Sequence, residues 1–278
     1  MQRERVSENV YWFQSEIYAQ VTAGAVIGPQ WAVVIDTLMP QETVTMKEYI
    51  EREIGVPVKY IINTHHHADH CWGNCLLPNA TVIGHKLCRD LMVERSASAL
   101  AEAGKENPLF KNIKVVAPHI TFDEGSLTLR VGKKQLRIFS TPGHSIDGIS
   151  VLLEEDRVLF AGDAFMPIPF IVGGDADTLM ETTRLISKMS LENIIQGHGD
   201  IILRGEIEDT AKSNIAYLRG LRKTVRSVLR RKNPMELLAE NDIESCGKSR
   251  VILGGLANEL HQRNLRWLYN QTLNGQLS

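Results

Sequence analysis

The sequence predicts an α/β protein with mixed sheets, built as two sheet-and-helix halves packed face to face, and three observations carry this. Short runs rich in valine and isoleucine alternate with stretches whose apolar residues recur at helical spacing. The same order of runs occurs twice along the chain, as similarity of architecture rather than as a sequence repeat. Alternation of this kind places helices against the faces of sheets. Strand signals then stop near residue 205, and a long helical stretch follows.

Taken in order, residues 21–28 (VTAGAVIG) and 31–36 (WAVVID) read as two strands joined by a turn at Pro29 and Gln30. Residues 41–53 contain no glycine or proline and place Val44, Tyr49 and Ile50 where one helical face can bury them. VKYIINT is a strand that delivers the chain to His65, and TVIGH is another short strand. Residues 86–103 read as a helix interrupted by Gly104 and Pro108. In the second half LTLRVG, QLRIFST, ISVLLE and RVLFAGD are four strands, residues 177–189 a helix, and ENIIQGHG a strand ending at a histidine. A helix over 206–232 and a last one over 256–273 complete the pattern. The expected division is an α/β core, 1–205, and a helical extension, 206–278, packing on it.

The chain has 278 residues, near the upper end of what one hydrophobic core supports. Its 31 basic and 33 acidic side chains nearly cancel, so no global field draws it toward nucleic acid or an anionic membrane. No stretch reaches the roughly 18 to 20 apolar residues of a membrane span, and no apolar run of leader length opens the chain. Cysteines 71, 75, 88 and 246 form no CxxC pair and are too few for a disulfide scaffold, so they are expected to be reduced and the protein cytoplasmic. The oligomeric state is not fixed by sequence, a homodimer being one option.

The segment from Thr64 to His70 carries the pattern H-x-H-x-D-H immediately after an apolar strand. On a tight loop, His65 and His67 can face one point while Asp69 and His70 face a neighbouring one. Imidazole nitrogen and carboxylate oxygen suit zinc, and also iron or manganese. One ion needs about four ligands, or three and a water. His144 in TPGHS, Asp163 in FAGDAF and His198 in IQGHG supply further donors, each just beyond a predicted strand.

These residues, taken in order from about Val21 to Asp200, resemble the metallo-β-lactamase superfamily. The resemblance implies a four-layer αββα sandwich holding two divalent ions at one edge of the sheets, zinc first. It implies that His65, His67 and His144 hold one ion, that Asp69, His70 and His198 hold the other, and that Asp163 bridges both. By the same likeness Asp36 orients the metal loop without being a ligand, and Asp69 steers a hydroxide shared by the ions and passes its proton to the leaving group. The implied activity is hydrolysis of a small carboxylic ester, thioester or lactone. Phosphoester or nucleic-acid cleavage is the first alternative, and a mononuclear-iron persulfide dioxygenase the second. A small molecule, not nucleic acid, is the expected partner. The chain departs from cysteine-bearing zinc β-lactamases, which place a thiolate where Asp163 stands, and from homoserine lactonases, which carry a tyrosine where Met166 stands. It also lacks any basic residue between Asp163 and Arg184, where glyoxalase II has a basic stretch.

His66, His85, His119 and His261 have no partners at ligand spacing and read as structural. The apolar run 165–172 and Trp72 are divided between pocket wall and core. Eight basic residues between Thr210 and Met235 (Lys212, Arg219, Arg222, Lys223, Arg226, Arg230, Arg231 and Lys232) read as a solvated face, with an anion-recognising lid as the sharper option.

Overall fold

A computed structural model of the chain describes residues 1–275. The first sheet has seven strands that lie side by side in chain order: β1 (Gln2–Ser7), β2 (Val10–Gln14), β3 (Thr22–Ile27), β4 (Ala32–Ile35), β5 (Val58–Ile62), β6 (Thr81–His85) and β7 (Ile120–Phe122). β1 to β4 pair antiparallel and β4 to β7 parallel. The parallel connections run through α1 (Pro40–Glu48), α2 (Ala68–Cys71), and α3 (Lys86–Leu91) with α4 (Ala97–Glu106).

The second sheet has six strands: β8 (Ser126–Val131), β9 (Lys134–Ser140), β10 (Ile149–Leu153), β11 (Val158–Gly162), β12 (Asn193–Gln196) and β13 (Ile202–Leu203). Only β11 and β12 pair parallel, because α5 (Ala176–Ser187) crosses between them. Asp175 caps α5 by accepting from Thr178 N–H at 2.8 Å. The chain ends with α6 (Ile207–Val228), α7 (Pro234–Ala239) and α8 (Ala257–Leu273).

Period-two alternation sorts the strand side chains into layers. Val26, Val33, Ile35 and Ile62 of the first sheet meet Ile138, Val151, Val158 and Phe160 of the second in a core between the sheets. On the outer face of the first sheet, Ala23, Ala25 and Val34 pack under Met46 and Ile50. On the outer face of the second, Leu152, Leu159 and Ile194 pack under Ile186, Ile207 and Ala211. These three interfaces make four layers, helix–sheet–sheet–helix. A further cluster joins α6 and α8 (Tyr217, Leu221, Leu265, Leu268) to Leu179 and Met180 of α5 and to Ile168 and Ile171. No helix among the described residues is long and apolar enough to cross a membrane.

The structure departs from the sequence expectations in several places. β1 and β2 extend the first sheet ahead of residue 21; β1 is an exposed, charge-rich edge strand, which blunts its period-two signal. β7 has three residues, too few to leave a signal. In α1 the buried face runs through Thr43, Met46 and, in the π-helical turn beyond it, Ile50, so Val44 lies one position off it and is 44 % exposed. The helix expected over 86–103 is two helices separated by a wide turn, Met92–Ser96, and the second continues through Gly104 to Glu106. α6 stops at Val228, short of residue 232.

Candidate metal centre

Five chain segments reach one edge of the two sheets just beyond strand ends. Asp36 follows β4, Thr64 to His70 follow β5, His144 lies between β9 and β10, Asp163 follows β11, and His198 follows β12. Two groups of donors form there. In the first, His65, His67, His144 and Asp163 bring one donor atom each within 4.8 Å of one another; in the second, Asp69, His70 and His198 do the same.

His67 Nδ1 lies 3.0 Å from both His65 Nε2 and His144 Nε2. Asp163 Oδ2 lies 3.3 Å from His144 Nε2 and 3.7 Å from His65 Nε2. The same carboxylate reaches the second group, at 3.3 Å from His70 Nε2 through Oδ1 and 3.6 Å from His198 Nε2 through Oδ2. Asp69 Oδ2 is 3.4 Å from His198 Nε2 and 3.9 Å from His70 Nε2. The geometry thus brings together all seven residues singled out in the sequence, with Asp163 between the groups.

His65, His70, His144 and His198 each have the other ring nitrogen held by a protein oxygen. His144 Nδ1–H donates to Phe170 C=O at 2.7 Å, and His198 Nδ1–H to Ala19 C=O at 2.9 Å. Asp36 Oδ2 takes His70 Nδ1–H at 2.8 Å and Thr64 Oγ1–H at 2.7 Å, while its Oδ1 takes Thr64 N–H at 2.8 Å. The Thr64 hydroxyl, its own proton committed to Asp36, accepts from His65 Nδ1–H at 3.1 Å. In the neutral ring each of these bonds fixes the tautomer that turns the Nε2 lone pair toward the centre.

The three neutral imidazoles of the first group turn ring nitrogens toward one point, with His67 Nδ1 3.0 Å from the other two, an arrangement that suits a cation among them. An ion with tetrahedral ligands at ~2.0–2.1 Å sets those ligands about 3.3 Å apart, close to the spacings above. His70 Nε2 and Asp163 Oδ1, both buried and 3.3 Å apart, have no hydrogen-bond partner among the described residues, as expected of atoms that share a cation. The two donor groups therefore fit divalent metal.

Electrostatics divides the two groups. Burial, reinforced by neighbouring imidazoles, holds His65, His67 and His144 below the ordinary histidine range, so they are neutral. Burial works in the same direction on His70 and His198, but the carboxylates of Asp163, Asp69 and, for His70, Asp36 outweigh it and raise both. Burial favours a protonated Asp163, yet His198, His70 and His144 overcome it and hold the carboxyl well below its usual range.

Two glycines allow this convergence. Gly162 has φ +51°, and a Cβ there would come within 2.6 Å of Thr64 Oγ1. A Cβ on Gly197 would overlap Asp163 Oδ1 outright. The glycines of the motifs GD and GHG are close-approach sites.

The centre floors a cavity of about 600 Å³. Met166, Phe170 and Val172 line it, whereas Phe165, Ile168 and Ile171 are buried in the cores on either side, so the run 165–172 serves both purposes. Trp72 also does both, lining the cavity and meeting Phe110 edge-on at 5.4 Å. The opposite wall was not legible in the sequence: Tyr18 from the β2–β3 turn, and Leu253, Leu256, Leu260 and Arg263 from the last helices. Tyr18 has its phenol raised by the Asp69 carboxylate and by burial. The turn carrying it has Ala19 and Gln20 at positive φ, conformations most side chains avoid, and is tied to His198. No periodicity signals residues that meet from opposite ends of the chain.

The remaining histidines are structural. His66 turns away to Asp147, at 3.0 Å, while reaching the cavity rim. His85 caps α3, His119 accepts from Val82 N–H, and His261 is buried against the Tyr217 hydroxyl. Among the described residues none of the eight basic residues between 210 and 235 lines the cavity; Lys212 is ion-paired with Glu208 and Arg222 with Asp177.

Comparison with known proteins agrees with this fold. A metallo-beta-lactamase family protein from Thermus thermophilus superposes with a TM-score of 0.68 at 20 % identity, covering 97 % of this chain and 95 % of that one. A metallo-beta-lactamase from Pontibacter korlensis gives 0.64 at 19 % identity over 76 % of this chain and 97 % of that one. Among curated proteins, the thioesterase pkgB of Emericella nidulans is 28 % identical over 59 % of this chain and 41 % of its own length. A hydroxyacylglutathione hydrolase of Rhodopseudomonas palustris is 30 % identical over 43 % of this chain and 38 % of its own. The chain spans about half the length, or less, of such curated relatives. The sequence profile described as Metallo-beta-lactamase superfamily matches residues 19–231, and the chain belongs to that superfamily.

Proposed function

We propose that the chain is a dinuclear-metal hydrolase that adds water to a small carboxylic ester, thioester or lactone. The observation that carries this reading is Asp163, a buried carboxylate shared by two complete donor groups on the floor of a mainly apolar cavity. In this reading His65, His67 and His144 hold one ion, Asp69, His70 and His198 the other, and Asp163 both. Ions held there would acidify water and polarise the substrate's oxygen.

The chain's own residues do the rest. Asp36, Thr64 and the carbonyls of Phe170 and Ala19 keep the imidazoles in the required tautomers. Asp69, the most accessible of the ligand carboxylates with its side chain 15 % exposed, faces the cavity and is placed to accept and pass a proton. Trp72, Phe170 and Leu260 exclude bulk water and fit an apolar acyl body, while Arg95 and Arg263 at the rim fit an anionic substituent. The helical extension, 206–278, is proposed to close the cavity. The relatives named thioesterase and hydroxyacylglutathione hydrolase support acyl chemistry.

A kinetic panel tests the proposal. Zinc-loaded protein is expected to hydrolyse lactones or thioesters in preference to phosphodiesters; the opposite preference would replace this reading with phosphoester cleavage. Metal analysis near one iron per chain, with no hydrolysis, would favour the dioxygenase alternative.

A further inference from the structure

The segment that leaves Asp163 and forms one wall of the cavity is held from behind by two buried amides of the C-terminal helices. Asn214 on α6 donates from Nδ2 to Met166 C=O at 3.1 Å. Asn264 on α8, fully buried, donates from Nδ2 to Pro169 C=O at 2.8 Å and accepts through Oδ1 from Ile171 N–H at 2.9 Å. The Ile171 N–H and the Phe170 C=O are opposite edges of one planar peptide unit. That carbonyl is the acceptor for His144 Nδ1–H at 2.7 Å.

We infer that Asn264 is a positioning residue for the ion held by His144, acting through the Phe170–Ile171 peptide. Asn264 Oδ1 on the N–H edge of that peptide and the His144 imidazole on its C=O edge form one hydrogen-bonded chain. Bonds in such a chain polarise one another. The second bond, to Pro169 C=O, holds the preceding peptide plane, so the carbonyl aimed at His144 is fixed from both sides. Removing the amide leaves a buried N–H without a partner and frees the peptide to rotate, and the His144 ring loses its fixed tautomer and direction. No other inward histidine rests on this segment: His198 hangs on Ala19, and His70 on Asp36. The effect is therefore confined to one of the two ions. α8 also presents Leu260 and Arg263 to the cavity, so one helix both contacts the substrate space and sets a metal ligand.

This inference rests on the two-ion reading above, and the test separates the two. The full chain is stripped of metal with a chelator and titrated with Co²⁺, read by d–d absorption, with circular dichroism confirming the fold. The wild type is expected to take up two equivalents. In Asn264→Ala one equivalent should weaken about 10- to 100-fold, the range for losing a group that orients a ligand, with an altered d–d spectrum, while the other stays within twofold. Tyr217→Phe removes a hydroxyl that Asn264 also touches, at 3.2 Å, and that has no hydrogen bond to residues 166–171 among the described residues, and it should bind cobalt as the wild type does. If Asn264→Ala does not fold, Asn264→Ser is read by the same criteria. Wild-type affinity for both equivalents in a folded Asn264 variant, or an equal loss in Tyr217→Phe, overturns the inference and leaves the two-ion reading intact. A wild type that binds no cobalt overturns both.

Discussion

Replacing Gly197 by alanine adds a single methyl group, changes no charge and alters no metal-binding donor, yet it should disable the centre. An ideal Cβ at this position overlaps Asp163 Oδ1 and lies 2.8 Å from the Gly162 carbonyl carbon and 2.9 Å from Asp163 N. Non-bonded carbon contacts settle near ~3.5–4.0 Å, so the carboxylate, or the backbone beneath it, has to retreat by more than about 1 Å. Gly197 is itself pinned, its N–H bonded to Gly162 C=O at 2.8 Å and its C=O taking Thr22 N–H at 2.8 Å, so Asp163 is the softer party. Overpacking of this kind costs about 1–3 kcal/mol of stability. A misplacement of ~1 Å at a reacting centre can cost about 100-fold in rate. The assay is zinc content and hydrolytic rate on the best substrate of the panel, with a thermal melt to show that the fold persists. A folded Gly197→Ala protein with two zinc ions and a rate within twofold of wild type would refute the argument that Asp163 bridges at this spacing.

Three further outcomes are expected. Asp163→Ala should lower zinc content at both sites and reduce turnover to background, whereas His198→Ala should empty mainly the second site; equal loss from the two variants in metal analysis would count against the bridge. Burial lowers His261 from 6.5 to about 4; between these pH values the unfolded chain binds a proton that the folded chain refuses, so stability is full above 6.5 and falls as pH drops through the window. Melting temperatures of the wild type should therefore fall more steeply from pH 6.5 to 4 than those of His261→Gln, and parallel curves would sink the assignment. All four cysteines are free in the structure, so denatured protein prepared without reductant should titrate four thiols; two would reveal a disulfide and overturn the expectation that they are reduced.

The sequence by itself determined the strand-to-ligand grammar of this protein. Strands β3 to β6 and β8 to β12 announce themselves because a buried strand needs apolar side chains locally. The donors are legible because a loop a few residues long has to hold His65, His67, Asp69 and His70 together at fixed spacing. The charged edge strand β1 and the three-residue β7 left too little pattern, since edge position and brevity remove the need for one. Tertiary structure alone decided what surrounds the donors. Tyr18, Leu260 and Arg263 reach the cavity only because the β2–β3 turn and α8 are packed there by contacts remote in sequence. The close approach at Gly197 and the hydrogen bonds of the Phe170 carbonyl and Asn264 are equally invisible in one dimension. A close approach or a hydrogen bond between distant segments constrains a distance in space, and a single sequence records only neighbours along the chain.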